Sequence, residues 1–247
     1  MLQPWRIGKV IRIENETSAT RRFWIQVPEL ENFDFAPGQF VTLDLPIHER
    51  PNKRWRSYSI ASWPDGTNVF ELVIVLLEGG AGTTYLFNEV VVGTEIPLRG
   101  PQGVFTLPKE IDKDLYLICT GTGVAPFRAM VHHIKRNNIP HKNIYLIFGC
   151  RKFGDCLYGK ELRDLEKELE GFHYLPTFSR EEAGEGYKTG YVHGVYEELC
   201  KINPATMKDA APADFFLCGW KNMVDEAKQR ILAMGYDKKN VHLELYG

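Results

Sequence analysis

Hydrophobic and polar positions change their rhythm near the middle of the chain. Up to about Leu107 the apolar residues fall in short β-branched and aromatic runs split by turn residues, the pattern of successive strands. The predicted strands are Trp5 to Glu14, Thr20 to Pro28, Phe40 to Leu45, Trp55 to Ser62, Val69 to Leu77 and Glu95 to Leu98, and their length and spacing suggest a six-stranded antiparallel β-barrel. Arg99-Gly100-Pro101-Gln102-Gly103 reads as closing turn chemistry, and polar, proline-led PKEIDKD places a boundary near Pro108, giving domains 1–108 and 109–247. Beyond it strands alternate with helices. Strands are predicted at Leu115 to Thr120, Asn143 to Gly149, Phe172 to Ser179, Asp214 to Cys218 and Val241 to Leu245, and helices at Pro126 to Asn138, Gly159 to Glu170, Val195 to Lys201 and Asn222 to Met234. That order implies a doubly wound five-stranded parallel α/β domain, whose ligand lies beyond the carboxyl ends of the strands.

Two features of the first half carry candidate chemistry. In Arg56-Ser57-Tyr58-Ser59 the period of two puts Arg56 and Tyr58 on one face and Ser57 and Ser59 on the other. A guanidinium fork suits phosphate and a tyrosine ring suits a flat heterocycle. In Gly79-Gly80-Ala81-Gly82-Thr83-Thr84 a strand ends, glycines allow close backbone approach, and Thr83 or Thr84 is placed to cap a short helix to about Asn88. A helix start favours an anion.

In the second half the informative residues fall just after strands. Gly121-Thr122-Gly123-Val124-Ala125-Pro126 is a glycine loop opening a helix, with Pro126 where the usual dinucleotide fingerprint has a glycine. Arg151 follows the second strand, Ser179 and Arg180 the third, with Lys188 and Tyr191 a short loop later, and Cys218 ends the fourth.

Composition excludes more than it selects. The chain is 44% hydrophobic and 25% charged with net charge −2, which disfavours general nucleic-acid binding. No apolar run approaches the roughly 18 residues of a membrane span, and the N-terminal MLQPWRIGKV lacks a signal-peptide core, so a cytoplasmic location is expected. The five cysteines have neither paired spacing nor the close run that holds an iron-sulfur cluster. No metal site is predicted.

Taken in order, Arg56-Ser57-Tyr58-Ser59, Gly79-Gly80-x-Gly82-Thr83, Gly121 to Pro126, Cys218-Gly219 and Glu244-Leu245-Tyr246 resemble the ferredoxin-NADP reductase superfamily along essentially the whole chain. The resemblance implies an N-terminal FAD-binding barrel and a C-terminal nicotinamide-binding domain. It implies that Arg56 holds the FAD pyrophosphate with Gly80, Gly82 and Thr83, that Tyr58 stacks on the flavin, and that Ser59 lies near its N5. It further implies that Gly121, Thr122 and Gly123 face the dinucleotide, that Cys218 and Glu244 line the nicotinamide pocket, and that Tyr246 is a displaceable aromatic over the flavin. Gly247 departs from plastid-type members, which end on the tyrosine.

The implied activity is hydride transfer between NADPH and FAD, with single electrons passed to or from ferredoxin, flavodoxin or an oxygenase component. NADPH is favoured because Ser179, Arg180, Lys188 and Tyr191 resemble a 2′-phosphate pocket. NADH remains open, since Gly190-Tyr191-Val192 also resembles NADH-using oxygenase reductases. The basic loop His48 to Arg56 would steer an acidic carrier. Other readings are a free-flavin or ferric reductase, and an FAD- and dinucleotide-binding redox sensor.

Overall fold

The computed structural model describes residues 3–182, 184, 187–200 and 212–246. Two compact units emerge, one formed by Met1–Leu107 with Ala125–Asn137, the other by Pro108–Val124 with Asn138–Gly247.

In the first unit β1 (Trp5–Thr17), β2 (Thr20–Gln26), β3 (Phe40–Asp44), β4 (Trp55–Ser59), β5 (Val69–Val75) and β6 (Glu95–Gln102) form an antiparallel sheet in the order β4-β3-β6-β1-β2-β5. Alternate residues point inward. Val10, Phe23, Ile25, Val41, Leu43, Phe70, Leu72, Ile74, Ile96 and Leu98 are buried in one apolar core.

Three local expectations are corrected. The run Arg99 to Gln102 is strand rather than turn: Arg99 pairs with Trp5 and Thr42, and Gln102 pairs with Phe40 across a register shift. β4 stops at Ser59, because the amide of Ile60 turns to the Gln39 carbonyl and that of Ala61 to the Glu71 carbonyl. The short helix α1 (Ala81–Asn88) begins after Gly80, so neither Thr83 nor Thr84 is its cap. The Thr83 hydroxyl instead reaches back, accepting from the Leu77 amide at 3.1 Å and donating to the Gly80 carbonyl at 3.1 Å.

Sheet order leaves β4 and β5 as the ends, and their meeting is where the barrel closes. Ala61 N–H donates to Glu71 O at 2.8 Å, and Glu71 N–H donates to Ser62 Oγ at 2.9 Å. The Glu71 carboxylate, 2% exposed, lies in an otherwise apolar strand. Arg22 on β2 grips it through Nε at 2.6 Å and Nη2 at 3.1 Å. Arg128 of α2 (Val124–Arg136), 4% exposed, donates through Nη1 to the same carboxylate at 3.0 Å and to the Ala61 carbonyl at 2.9 Å. One arginine therefore spans the seam, bonding a residue just past β4 and one inside β5.

In the second unit β7 (Asp114–Thr120), β8 (Ile144–Cys150), β9 (Phe172–Phe178), β10 (Lys188–Thr189), β11 (Ala213–Trp220) and β12 (Val241–Tyr246) form a parallel sheet in the order β10-β9-β8-β7-β11-β12. The doubly wound domain thus has six strands among the described residues rather than five. The sixth, β10, is two residues long, too short to show a period. Its helices are α3 (Gly159–Glu168), α4 (Val192–Cys200) and α5 (Lys221–Ala233). Helix α4 starts three residues before the expected Val195, and position 201 lies outside the described residues.

Replacing Glu71 with Ala would leave two arginines without their shared anion. Truncating one partner of a buried ion pair costs about 3–5 kcal/mol, so Glu71→Ala is expected to lower the free energy of urea unfolding by that amount. A loss below about 1 kcal/mol, the range of exposed pairs, would remove the seam network from the account.

Candidate functional site

The candidate residues gather in two groups, one in each unit. In the first, β4 presents Arg56 and Tyr58 beside the start of α1. A methyl placed on Gly82 would sit 3.0 Å from Arg56 Cγ and 3.2 Å from its Nε, so a side chain there would displace the arginine. Arg56 Nη1 donates to the carbonyls of Lys53 at 3.0 Å and Trp55 at 2.8 Å, which hold the guanidinium. Gly79 has φ of +71°, with open space where a side chain would project, and Gly80 takes the N-cap position with no side chain to cap the first turn. A helix start without a side-chain cap offers its first amides and partial positive charge to an anion. Glycine backbone, a helix start and a guanidinium thus lie together, the fit a pyrophosphate requires.

Tyr58 is half-buried and packs against the barrel core. Burial pushes its phenol up to about 12, partly opposed by the Arg56 charge, so the ring stays neutral through the physiological range. Ser57 lies on the opposite face, where its hydroxyl bonds Thr42 Oγ1 at 3.0 Å. Ser59 is buried, 5% exposed, at the end of β4.

In the second unit, the loops after β7 and β11 lie side by side at the centre of the parallel sheet, where strand order reverses. Gly121 has φ of +55° with open space before it, and Gly121–Gly123 form a tight turn leading into α2. A methyl on Gly123 would come within 2.4 Å of the Cys218 carbonyl. The strand ends can be this close because that position has no side chain.

Cys218 and Glu244 are register partners on β11 and β12, as are Trp220 and Tyr246. Burial, then the charge of Glu244, holds the Cys218 thiol well above its ordinary range, opposed by a hydrogen bond with the Tyr246 hydroxyl. The structure therefore brings Cys218, Glu244 and Tyr246 together, with the sulfur as a neutral thiol rather than a nucleophilic thiolate. The expectation at Gly247 lies outside the described residues.

Ser179 and Arg180 follow β9 and are tied to the loop after β8. Ser179 N–H donates to Cys150 O at 3.0 Å, and Arg180 N–H to Arg151 O at 3.0 Å. Arg151 and Arg180 are both exposed. Lys188 on β10 pairs with Glu198 at 3.0 Å, and Tyr191 is 74% exposed. Sequence reasoning missed Glu71 and Arg128, which hold the seam behind β4. A glutamate inside Val69 to Val75 was the available signal.

Comparison with known proteins matches two stretches of the chain to two family models. Residues 8–107 match the oxidoreductase FAD-binding domain and residues 117–229 the oxidoreductase NAD-binding domain. The chain is 34% identical over 215 residues to ferredoxin-NADP reductase B of Sorangium cellulosum, covering 87% of this chain and 86% of that protein. It is 30% identical to the glycine betaine monooxygenase reductase subunit of Pseudomonas aeruginosa, covering 99% of this chain and 66% of that protein, and 30% identical to the anthranilate 1,2-dioxygenase electron transfer component of Acinetobacter baylyi, of which it spans 54%. Among solved structures, a cytochrome P450 reductase from Amycolatopsis superposes with TM-score 0.84 at 25% identity, covering 98% of this chain and 70% of that one. A ferredoxin NADP+ reductase from Neisseria gonorrhoeae with bound FAD and NADP superposes with TM-score 0.79 at 24% identity, covering 98% of each chain.

Proposed function

The chain belongs to the ferredoxin-NADP reductase superfamily of oxidoreductases, and on that premise we propose that it transfers hydride between NADPH and FAD and single electrons to or from a protein carrier. The observation that carries the proposal is the placement of Arg56 against Gly82 at the start of α1, beside the half-buried ring of Tyr58. FAD, when bound, supplies both hydride chemistry and one-electron exchange.

Arg56 and the backbone of Gly79, Gly80, Gly82, Thr83 and Thr84 hold the pyrophosphate, with Ser57 supporting β4 through Thr42. Tyr58 offers a neutral ring for stacking, and Ser59 positions the reacting edge of the flavin. Gly121, Thr122 and Gly123 receive the dinucleotide phosphates. Cys218 and Glu244 shape the nicotinamide pocket, and Tyr246 is the aromatic that yields to the nicotinamide. These groups act by orientation, since neither hydroxyl nor thiol is asked to form a bond.

Ser179, Arg180, Lys188 and Tyr191, with Arg151 alongside, favour NADPH over NADH by meeting the 2′-phosphate. The exposed Lys188–Glu198 pair is worth about 0–1 kcal/mol, so a phosphate can replace Glu198 at small cost. Hydrogen bonds to charged groups contribute about 1.5–3 kcal/mol each, and two give roughly 10²- to 10⁴-fold preference. Arg180→Ala is expected to lower kcat/KM for NADPH at least about tenfold, the effect of one such contact, with NADH little changed. An unaltered ratio of the two would overturn the coenzyme assignment.

The carrier is ferredoxin, flavodoxin or an oxygenase component, and the names of the related reductases favour the first and the last. Arg50 and Lys53 lie exposed in the loop before β4, whereas Arg54 pairs with Asp44, so the first two are available to steer an acidic partner. Anaerobic mixing should bleach the bound flavin with NADPH and restore it with added carrier. The second rate should fall steeply with salt and drop when Arg50 and Lys53 are reversed. No reoxidation by any of the three carriers would sink the electron-transfer reading.

A further inference from the structure

Three cations of the candidate coenzyme pocket are grouped around one aromatic residue that the proposed function leaves unused. Phe153 opens the turn after β8, two positions past Arg151, and is 42% exposed. Its ring packs on that of Phe178, the last residue of β9, with centroids 4.1 Å apart, and meets Tyr187 edge-on at 5.2 Å. Its amide donates to the Glu181 carboxylate at 2.6 Å. Phe178 and Glu181 bracket Ser179 and Arg180, and Tyr187 directly precedes Lys188. Arg151, Arg180 and Lys188 therefore each stand within two residues of Phe153 or of a group it touches.

The loops that carry these cations have little else to hold them. After β8 and β9 the chains stay joined by two backbone bonds, Ser179 N–H to Cys150 O and Arg180 N–H to Arg151 O, both at 3.0 Å. The Phe153–Glu181 bond is the third and outermost tie, and it is charge-assisted. Among the described residues no ion pair holds the guanidinium of Arg151 or Arg180, so their placement rests on the backbone beneath them. Lys188 lies on β10, a strand of two residues that pairs only with Thr177 and Phe178. The contact of Tyr187 with Phe153 and Phe178 extends that short hold.

We propose that Glu181 and Phe153 are positioning residues for coenzyme selection, a clasp that joins the loops after β8 and β9 to the start of β10 and so sets Arg151, Arg180 and Lys188 for one phosphate before the coenzyme arrives. Neither clasp residue touches the phosphate. A free carboxylate beside Arg180 would compete for the guanidinium; the Phe153 amide takes up the Glu181 carboxylate instead, and the guanidinium is left for the ligand. Ordering the loops in advance removes that cost from binding. The gain is confined to a coenzyme that carries the 2′-phosphate, which NADH lacks. The inference rests on the reading of Arg180 as the 2′-phosphate contact.

The test titrates the FAD-loaded protein with 2′-phospho-AMP, which carries the phosphate but no nicotinamide, and compares kcat and KM for NADPH and NADH. Glu181→Ala and Phe153→Ala should each weaken 2′-phospho-AMP binding and raise KM for NADPH roughly three- to tenfold, the factor for one ordinary hydrogen bond, with kcat and the NADH constants unchanged. Glu181→Gln keeps an oxygen for the Phe153 amide and should bind 2′-phospho-AMP as the wild type does. Combined with Arg180→Ala, Glu181→Ala should cost less than its separate effect, because it acts through that arginine. If Arg180→Ala weakens 2′-phospho-AMP while Glu181→Ala and Phe153→Ala do not, the clasp is overturned and the coenzyme assignment stands. If Arg180→Ala leaves binding unaltered, both are overturned. Equal losses for NADPH and NADH, or a Glu181→Gln variant as weak as Glu181→Ala, would also overturn the inference.

Discussion

A carboxylate held between two guanidiniums is the constraint from which the candidate flavin site follows. Glu71 sits where β4 and β5 close the barrel with few backbone bonds, and it binds Arg22 on β2 and Arg128 on α2. Left unpaired in an apolar wall, a carboxylate would be strongly unfavourable. With both arginines and the Ser62 and Ala61 contacts in place, it fixes how the end of β4 meets β5. Strand β4 carries Arg56 and Tyr58, and β5 leads into the glycine turn and α1. Arg56 and Gly82, where a methyl would sit 3.0 Å from the arginine, thus lie on β4 and on the helix after β5, the two strands this seam joins.

The parallel sheet meets the same demand for close approach by different means. Its central strands end in Gly121 to Gly123 and in Cys218-Gly219, and their backbones pack where a side chain at position 123 would collide. The turn has φ and space for a ligand at Gly121, while burial keeps Cys218 a neutral thiol next to Glu244 and Tyr246. One half of the protein concentrates positive charge and helix-start amides; the other assembles backbone, thiol, carboxylate and aromatic ring.

Most of the architecture was legible because its strands stand out as short apolar runs bounded by turn residues, as in Val69–Val75 or Ile144–Cys150. What escaped was set by contacts distant in sequence. Arg99 to Gln102 reads as a turn from its glycine and proline, yet pairing with Trp5, Thr42 and Phe40 makes it strand. Thr83 reads as a cap, yet its hydroxyl serves Leu77 and Gly80. The role of Arg128 appears only when Glu71, 57 positions away, is brought beside it. The site residues on β4 were visible as a local alternation, but the device that aims them was not.

The most direct test is FAD retention by Arg56→Ala, measured as flavin absorbance per protein after gel filtration and as Kd by flavin titration of the apoprotein. Losing a charge-assisted bond to the pyrophosphate costs about 1.5–3 kcal/mol, so FAD should bind roughly ten- to a hundredfold more weakly while the barrel remains folded. Full occupancy with an unchanged Kd would contradict the assignment of β4 and α1 as the flavin pyrophosphate site.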